Sequence, residues 1–295
     1  MAYQLDLQGE AVPATLRAVV AEQLADAVRN LREERVVDPV TAVHEARKDL
    51  KKTRSILRLA RSGVPAEARR ATNDALREIA AGLADVRDAD VMVETAQKLH
   101  DRFAGQVPAR AFSTVRRRFA AQATRSQAAA DAAISDEVVA ALQEQLAAVK
   151  LWPLDDLDRA ELAEGVAVAY ARGRQELKLA RKEPTVDALH EWRKRVKDLW
   201  YHAKLLEQSW PAMWKVIGDE AHALADLLGD DHDLGVLAER IEAQEWPASV
   251  DGPTFVAFCH RRRKELQTEA FALSRKLYAD KPEAFARRAG AYLAA

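Results

Sequence analysis

Val43-His44-Glu45-Ala46-Arg47-Lys48 and Leu189-His190-Glu191-Trp192-Arg193-Lys194 decide the fold: they are two copies of one pattern, 146 residues apart. A second pair lies downstream at an offset of 145. Leu83-Ala84-Asp85-Val86-Arg87-Asp88-Ala89-Asp90-Val91 matches Leu228-Gly229-Asp230-Asp231-His232-Asp233-Leu234-Gly235-Val236. Two motifs in the same order at nearly the same spacing mark an internal duplication. Each copy is expected to be a unit of helices joined by short connections, an antiparallel four-helix bundle, with the units at 1–150 and 151–295.

The intervening sequence reads as helix. Gly and Pro number only 11 and 10 in 295 residues, and Ala, Leu, Arg and Glu favour helix over strand. An apolar share of 48% excludes a disordered chain. Pro and Gly then place the breaks. Helices are expected at about 12–36, 40–62, 159–182, 186–208, 212–228 (continuing to 244) and 254–279. A third stretch, broken near Asp85, is expected to end at Gly105–Pro108, and a fourth to run from about 109 with a fresh start at Ser135-Asp136. Leu151-Trp152-Pro153-Leu154 is the expected linker.

On a helical wheel with His44 at zero, Lys48, Lys51, Arg58, Arg47 and Arg54 fall within about 120° of one another. Val43, Ala46, Leu50, Leu57 and Ala60 take the neighbouring arc, the expected core side. His190, Arg193, Lys194, Lys197, Tyr201 and Lys204 occupy the same polar arc in the second copy, with Leu189, Trp192, Val196, Ala203 and Leu206 inward. Like charges at these spacings repel by about 0.2–0.5 kcal/mol per pair. A cationic row about 20 Å long, occurring twice, calls for an anionic partner with closely spaced charges. The alternative is an ordinary solvated face with its charges paired to Glu45, Asp49 and Glu191.

The formal net charge of −1 conceals segregation. Residues 41–61 hold seven Lys/Arg against two acids, 110–125 hold five Arg and no acid, and 219–245 hold nine acids and one Arg. Arg116-Arg117-Arg118 and Arg261-Arg262-Arg263-Lys264 are corresponding basic clusters. One or two side chains of each, with Arg117 and Arg262 as the choices, are expected to join the rows, as are Arg29, Arg32, Arg174 and Lys178 on the first helix of each half.

The duplicated V/L-H-E-x-R-K helix, followed in each half by L-x-x-x-R/H-D-x-x-V, resembles the CHAD domain, the conserved histidine α-helical domain. The resemblance spans about residues 10–280. It implies an all-α protein of two four-helix bundles about a pseudo-twofold axis, with a basic groove between them. It further implies binding of inorganic polyphosphate and association with polyphosphate granules. Carried over by position, the family's basic residues fall on His44, Arg47, Lys51, Arg54, Arg58, His190, Arg193, Lys197 and Lys204. Trp200 stands where an Arg is expected by analogy with Arg54, and Asp198 stands opposite Lys52, so the second row departs from the pattern. Some members carry a triphosphatase-type catalytic domain; none is expected here.

Other chemistry finds little support in the residues. No Gly-rich phosphate loop, His-Glu-x-x-His or nucleophile elbow is present, and no catalytic role, cofactor or metal is expected. Asp230–Asp233 fit helix capping better than a metal site. His44 with Lys48, and His190 with Lys194, fit a phosphorelay histidine only loosely; the bland role for both histidines is a bond to an acid such as Asp88 or Asp233. Nucleic acid is the main rival partner and some weak affinity is expected, but only Trp200 and Tyr201 interrupt the rows as stacking surfaces. The single Cys259 allows no internal disulfide, and no apolar run reaches membrane length. A cytoplasmic protein, without a membrane partner, is the expectation; the oligomeric state is not fixed by the sequence.

Overall fold

The computed structural model describes residues 3–9, 11–83, 88–106, 109–248 and 250–294. Among them are eleven α-helices: α1 (Val12–Arg32), α2 (Pro39–Leu59), α3 (Ala66–Gly82), α4 (Asp88–Arg102), α5 (Ala109–Ala133), α6 (Asp136–Ala148), α7 (Arg159–Lys182), α8 (Val186–Leu205), α9 (Pro211–Glu242), α10 (Gly252–Leu277) and α11 (Pro282–Ala294). Local chemistry sets the starts. Asp38 caps α2 by accepting from the N–H groups of Val40 and Thr41, with Pro39 at the first helical position. Thr185 caps the equivalent α8 through the N–H of Ala188. Asp158 and Glu161 form a reciprocal capping box on α7.

The expected core arcs of α2 and α8 are buried throughout, including Val43, Ala46, Leu50, Leu57 and Ala60, and Leu189, Trp192, Val196, Ala203 and Leu206. Both copies therefore turn the same face inward. α8 lies between α7 and α9, α9 also packs along α10, and α1 lies along α2. The two halves share their apolar interior. One cluster runs from Leu16 and Leu50 to Trp192, Trp214 and Leu228. The other joins Phe103, Phe112 and Phe119 of the first half to Leu237, Phe255 and Cys259 of the second.

Two expectations need correction. α9 is a single helix through 228–242, with no break at Asp230. The capping role for Asp230–Asp233 is therefore overturned: these acids lie mid-helix, where every N–H already has its i−4 carbonyl. Asp231 is instead buried and accepts two hydrogen bonds from Arg263 at 3.2 Å each and one from Gln267 at 2.8 Å. The expected break near Asp85 falls at 84–87, outside the described residues, as does Val107-Pro108. Second, α11 was not expected from the sequence; Phe285 stacks on Tyr170 with ring centroids 3.9 Å apart and fixes it against α7. Among the described residues no helix is long and apolar enough to cross a membrane.

Candidate functional site: two crossing cationic helices

α2 and α8 touch each other directly. They do so at equivalent points of the duplication. His202 Nε2 hydrogen-bonds the Ser55 carbonyl at 2.9 Å, and Ser55 corresponds to Tyr201 (55 + 146 = 201). Arg58 reaches Asp198 across the same contact, with Nη2 at 2.7 Å. As the number rises along one helix it falls along the other, as two copies running in opposite directions about a local twofold require. The two histidine-bearing rows thus approach one another at their C-terminal halves.

The crossing also covers part of the expected face. Ser55 sits in the middle of the polar arc yet is fully buried. Tyr201, expected to line the face, is buried against Tyr3, whose ring lies 6.0 Å away edge-on. Burial pushes its phenol up to about 12. Tyr201 is therefore a packing residue and not a surface contact, because the helix contact consumes its position.

Several matched cations hold the fold. Arg47 donates to the Leu83 carbonyl at 2.8 Å and Arg193 to the Ala225 carbonyl at 3.2 Å, so the motif arginine ties each helix to a following one. Gly229 allows this approach, since a Cβ there would lie 2.7 Å from the Arg193 guanidinium. Arg174 serves the same purpose, donating to the carbonyls of Tyr278 and Asp280. On the first helix, Arg29 pairs with Asp26 at 2.5 Å and Arg32 donates to Gln143 at 3.1 Å.

Local carboxylates temper the rows. Lys48 pairs with Glu45 at 2.9 Å, and Lys194 with Glu191 at 2.5 Å, in the same three-residue relation. Such surface pairs are worth about 0–1 kcal/mol, so a multivalent anion can outcompete them. Lys51 and Lys204 are exposed. Lys197 lies 5.5 Å from the centre of the Trp200 ring and 5.6 Å from that of Tyr201. Arg54 donates to Asn73 at 3.0 Å. Arg58 is committed to Asp198, which corrects its expected place in an all-cationic row.

The outlying choices fare differently. Arg117 is exposed on α5, as are its neighbours Arg116 and Arg118. Arg262 is paired with Glu265 at 3.0 Å and Glu269 at 3.5 Å on its own helix. Arg263 of that cluster is the buried partner of Asp231.

The histidines differ from each other. His44 stands at the surface with Nε2 3.7 Å from Glu45. His190 packs on His232 with ring centroids 4.3 Å apart, and the Nδ1 atoms of both rings are buried without a hydrogen-bond partner. Burial first, then His232 and the neighbouring Lys194 and Arg193, lowers His190 to about 4. His202 also falls to about 4, chiefly through burial. Both are neutral at pH 7 and add no positive charge. The alternative of Asp88 as a partner for His44 involves a side chain outside the described residues.

A pH dependence of stability follows. These histidines take up protons more readily unfolded, near 6.5, than folded, near 4. Their stabilising contribution is complete above about 6.5 and is lost as pH falls toward 4. The urea midpoint should decline from pH 7 to pH 5, and less steeply in His190→Gln. An equal decline in both proteins would place the sensitivity elsewhere.

Four arginines that the wheels overlooked gather at the same crossing. Arg61, Arg69, Arg172 and Arg195 join Arg58 around Asp198. For one of them, Arg195, a signal exists in the sequence. At an offset of 146, Asp49 and Lys52 of the first copy become Arg195 and Asp198 of the second, an inverted charge pair. In the structure both pairs form, Lys52–Asp49 at 2.8 Å and Arg195–Asp198 at 3.0 Å.

The fold and this geometry define a duplicated all-helical protein that turns two related cationic helices toward one crossing. A family model of the CHAD domain matches residues 18–242. The chain belongs to the CHAD domain family. Among solved structures it is similar to PptA from Streptomyces chartreusis, with 16% identity and a TM-score of 0.67, covering 92% of this chain and all of that one. It is also similar to the CHAD domain from the plant Ricinus communis, at 18% identity and a TM-score of 0.65, covering 95% of each chain. At these identities the likeness establishes the fold. No curated protein sequence matches this chain.

Proposed function

We propose that the chain binds inorganic polyphosphate along the basic side chains of α2 and α8 and through that binding associates with polyphosphate granules. The observation that carries the reading is the meeting of α2 and α8 at equivalent positions, which brings two short cationic rows together at their C-terminal halves. Lys48, Lys51, Lys194, Lys197 and Lys204 supply mobile ammonium groups, and His44 and Arg54 flank them. A linear polymer with a charge on every phosphate can satisfy successive side chains about 5–6 Å apart along each axis. Membership of the CHAD family supports the same ligand. The reading is of a binder with no chemical step.

Nucleic acid is disfavoured by one particular. The aromatic residues among these cations are poor stacking platforms: Tyr201 is buried, and Trp200 stacks on it with ring centroids 4.7 Å apart. Long-chain polyphosphate should therefore displace single-stranded RNA at far lower phosphate concentration than RNA needs to displace polyphosphate. Affinity should fall steeply with added salt, as expected when several phosphates are neutralised by Lys and Arg. Displacement equally easy in both directions, measured by fluorescence anisotropy at fixed salt, would overturn the choice of ligand.

A further inference from the structure

The arginine recess lies where the C-terminal end of α2 and the following Arg61 meet α3, α7 and α8, and it shares only Arg58 with the duplicated face. Among the described residues its charged lining is Arg58, Arg61, Arg69, Arg172 and Arg195, with Asp198 as the one carboxylate. Both Asp198 oxygens are engaged, one by Arg58 at 2.7 Å and the other by Arg195 at 3.0 Å. One negative charge thus faces five guanidinia. Arg69 Nε is buried without a hydrogen-bond partner. Burial, followed by the charge of neighbouring guanidinia, Arg61 foremost, lowers the proton affinity of both Arg69 and Arg172. The cations therefore press on one another.

The duplication shows that this charge is not imposed by the fold. The repeat-related positions of Arg58, Arg61, Arg195 and Asp198 are Lys204, Glu207, Asp49 and Lys52, an even mixture of signs. One of the two equivalent corners has been loaded with arginine and the other has not. The space between the guanidinia is about 20 Å³, on the scale of one or two waters. A single compact group, with the flexible guanidinia drawn round it, suits so small a space better than a coiled polymer does. Arginine forks suit the several oxygens of a tetrahedral phosphoryl group.

We propose that this recess seats one terminal phosphoryl dianion, supplied either by free phosphate or pyrophosphate or by the end of a polyphosphate chain. An end group carries more charge than an interior phosphate, which matches the excess of four guanidinia over the single carboxylate. The site stands apart from the tract on α2 and α8 and does not require it.

Calorimetric titration with pyrophosphate, orthophosphate, linear tripolyphosphate and cyclic trimetaphosphate tests this. In Arg61→Gln/Arg172→Gln, pyrophosphate affinity should fall at least about tenfold, the equivalent of about 1.4 kcal/mol, while trimetaphosphate, which has no end group, changes little. Helix content should persist, and the urea midpoint without anion should hold or rise because repulsion is relieved. A drop in that midpoint with unchanged pyrophosphate affinity would mean that the arginines only join the helices, and the proposal would fall. Equal losses for the ring and for pyrophosphate would also overturn it. Sensitivity of orthophosphate and pyrophosphate without tripolyphosphate assigns the seat to the free small anions, whereas sensitivity of tripolyphosphate as well assigns it to chain ends. Asp198→Asn should act in the opposite direction and tighten pyrophosphate several-fold. Charge reversal of Lys51 and Lys197 should leave the recess able to respond to the arginine substitutions, so failure of the tract and failure of the seat are separable.

Discussion

Lys51→Glu combined with Lys197→Glu should weaken long-chain polyphosphate binding about a hundredfold at low salt, while helix content and the urea midpoint stay within a small margin of the parent. Lys51 is exposed and Lys197 half-buried on corresponding turns of α2 and α8, four residues before the crossing point in each copy. Each reversal removes one attraction and installs one repulsion, worth together about tenfold in affinity, or about 1.4 kcal/mol. The two act on one polymer at separate points, so the losses should nearly add. The slope of log affinity against log salt should flatten by about one to two, because fewer counterions are released. The two single variants should each show part of the loss. Binding of the double variant at parental affinity would remove the tract on α2 and α8 from consideration, whatever the arginine recess does.

Asp231→Ala should cost about 3–5 kcal/mol of unfolding free energy, the usual range when one partner of a buried ion pair is deleted. Asp231 is 1% exposed and Arg263 9% exposed, so water cannot replace the missing carboxylate. Arg263 Nε and Nη2 and Gln267 Nε2 would all lose their acceptor. Arg263→Leu in the same background should recover a large share of the loss, because no guanidinium then remains buried without a counter-charge. Chemical unfolding of the two variants decides the matter. A cost below about 1 kcal/mol in Asp231→Ala would mean that water reaches the pair when the carboxylate is gone.

The separation between these effects reflects what each group of residues does. Arg47, Arg193 and Arg174 are cations by type but anchors by position, spending their donors on backbone carbonyls. Their removal should disturb packing as well as binding. Lys51 and Lys204 carry the same charge on exposed flexible stems, and Lys197 on a half-buried one, so substitution there reads electrostatics with less structural cost. A helical wheel cannot tell these groups apart. It records the direction in which a side chain leaves its own helix and nothing about what stands opposite.

The sequence by itself determined the helical class, the duplication and the inward faces of α2 and α8. Each of these depends on local chemistry or on a period within one helix: few Gly and Pro, a cap at Asp38 or Thr185, and apolar residues recurring at 3.6-residue spacing. It also determined the family through His44 and His190 with their following Arg and Lys. Only the tertiary structure decided that Ser55 and Tyr201 are consumed by the crossing, that Asp198 answers Arg58 across the duplication, and that Asp231 is a buried ion-pair partner instead of a cap. It alone gathered Arg61, Arg69, Arg172 and Arg195 into one recess. The physical reason is the same in every case: charge pairing and burial are set by the neighbour across a helix contact, and that neighbour lies 32 residues away for Asp231 and 140 for Arg58.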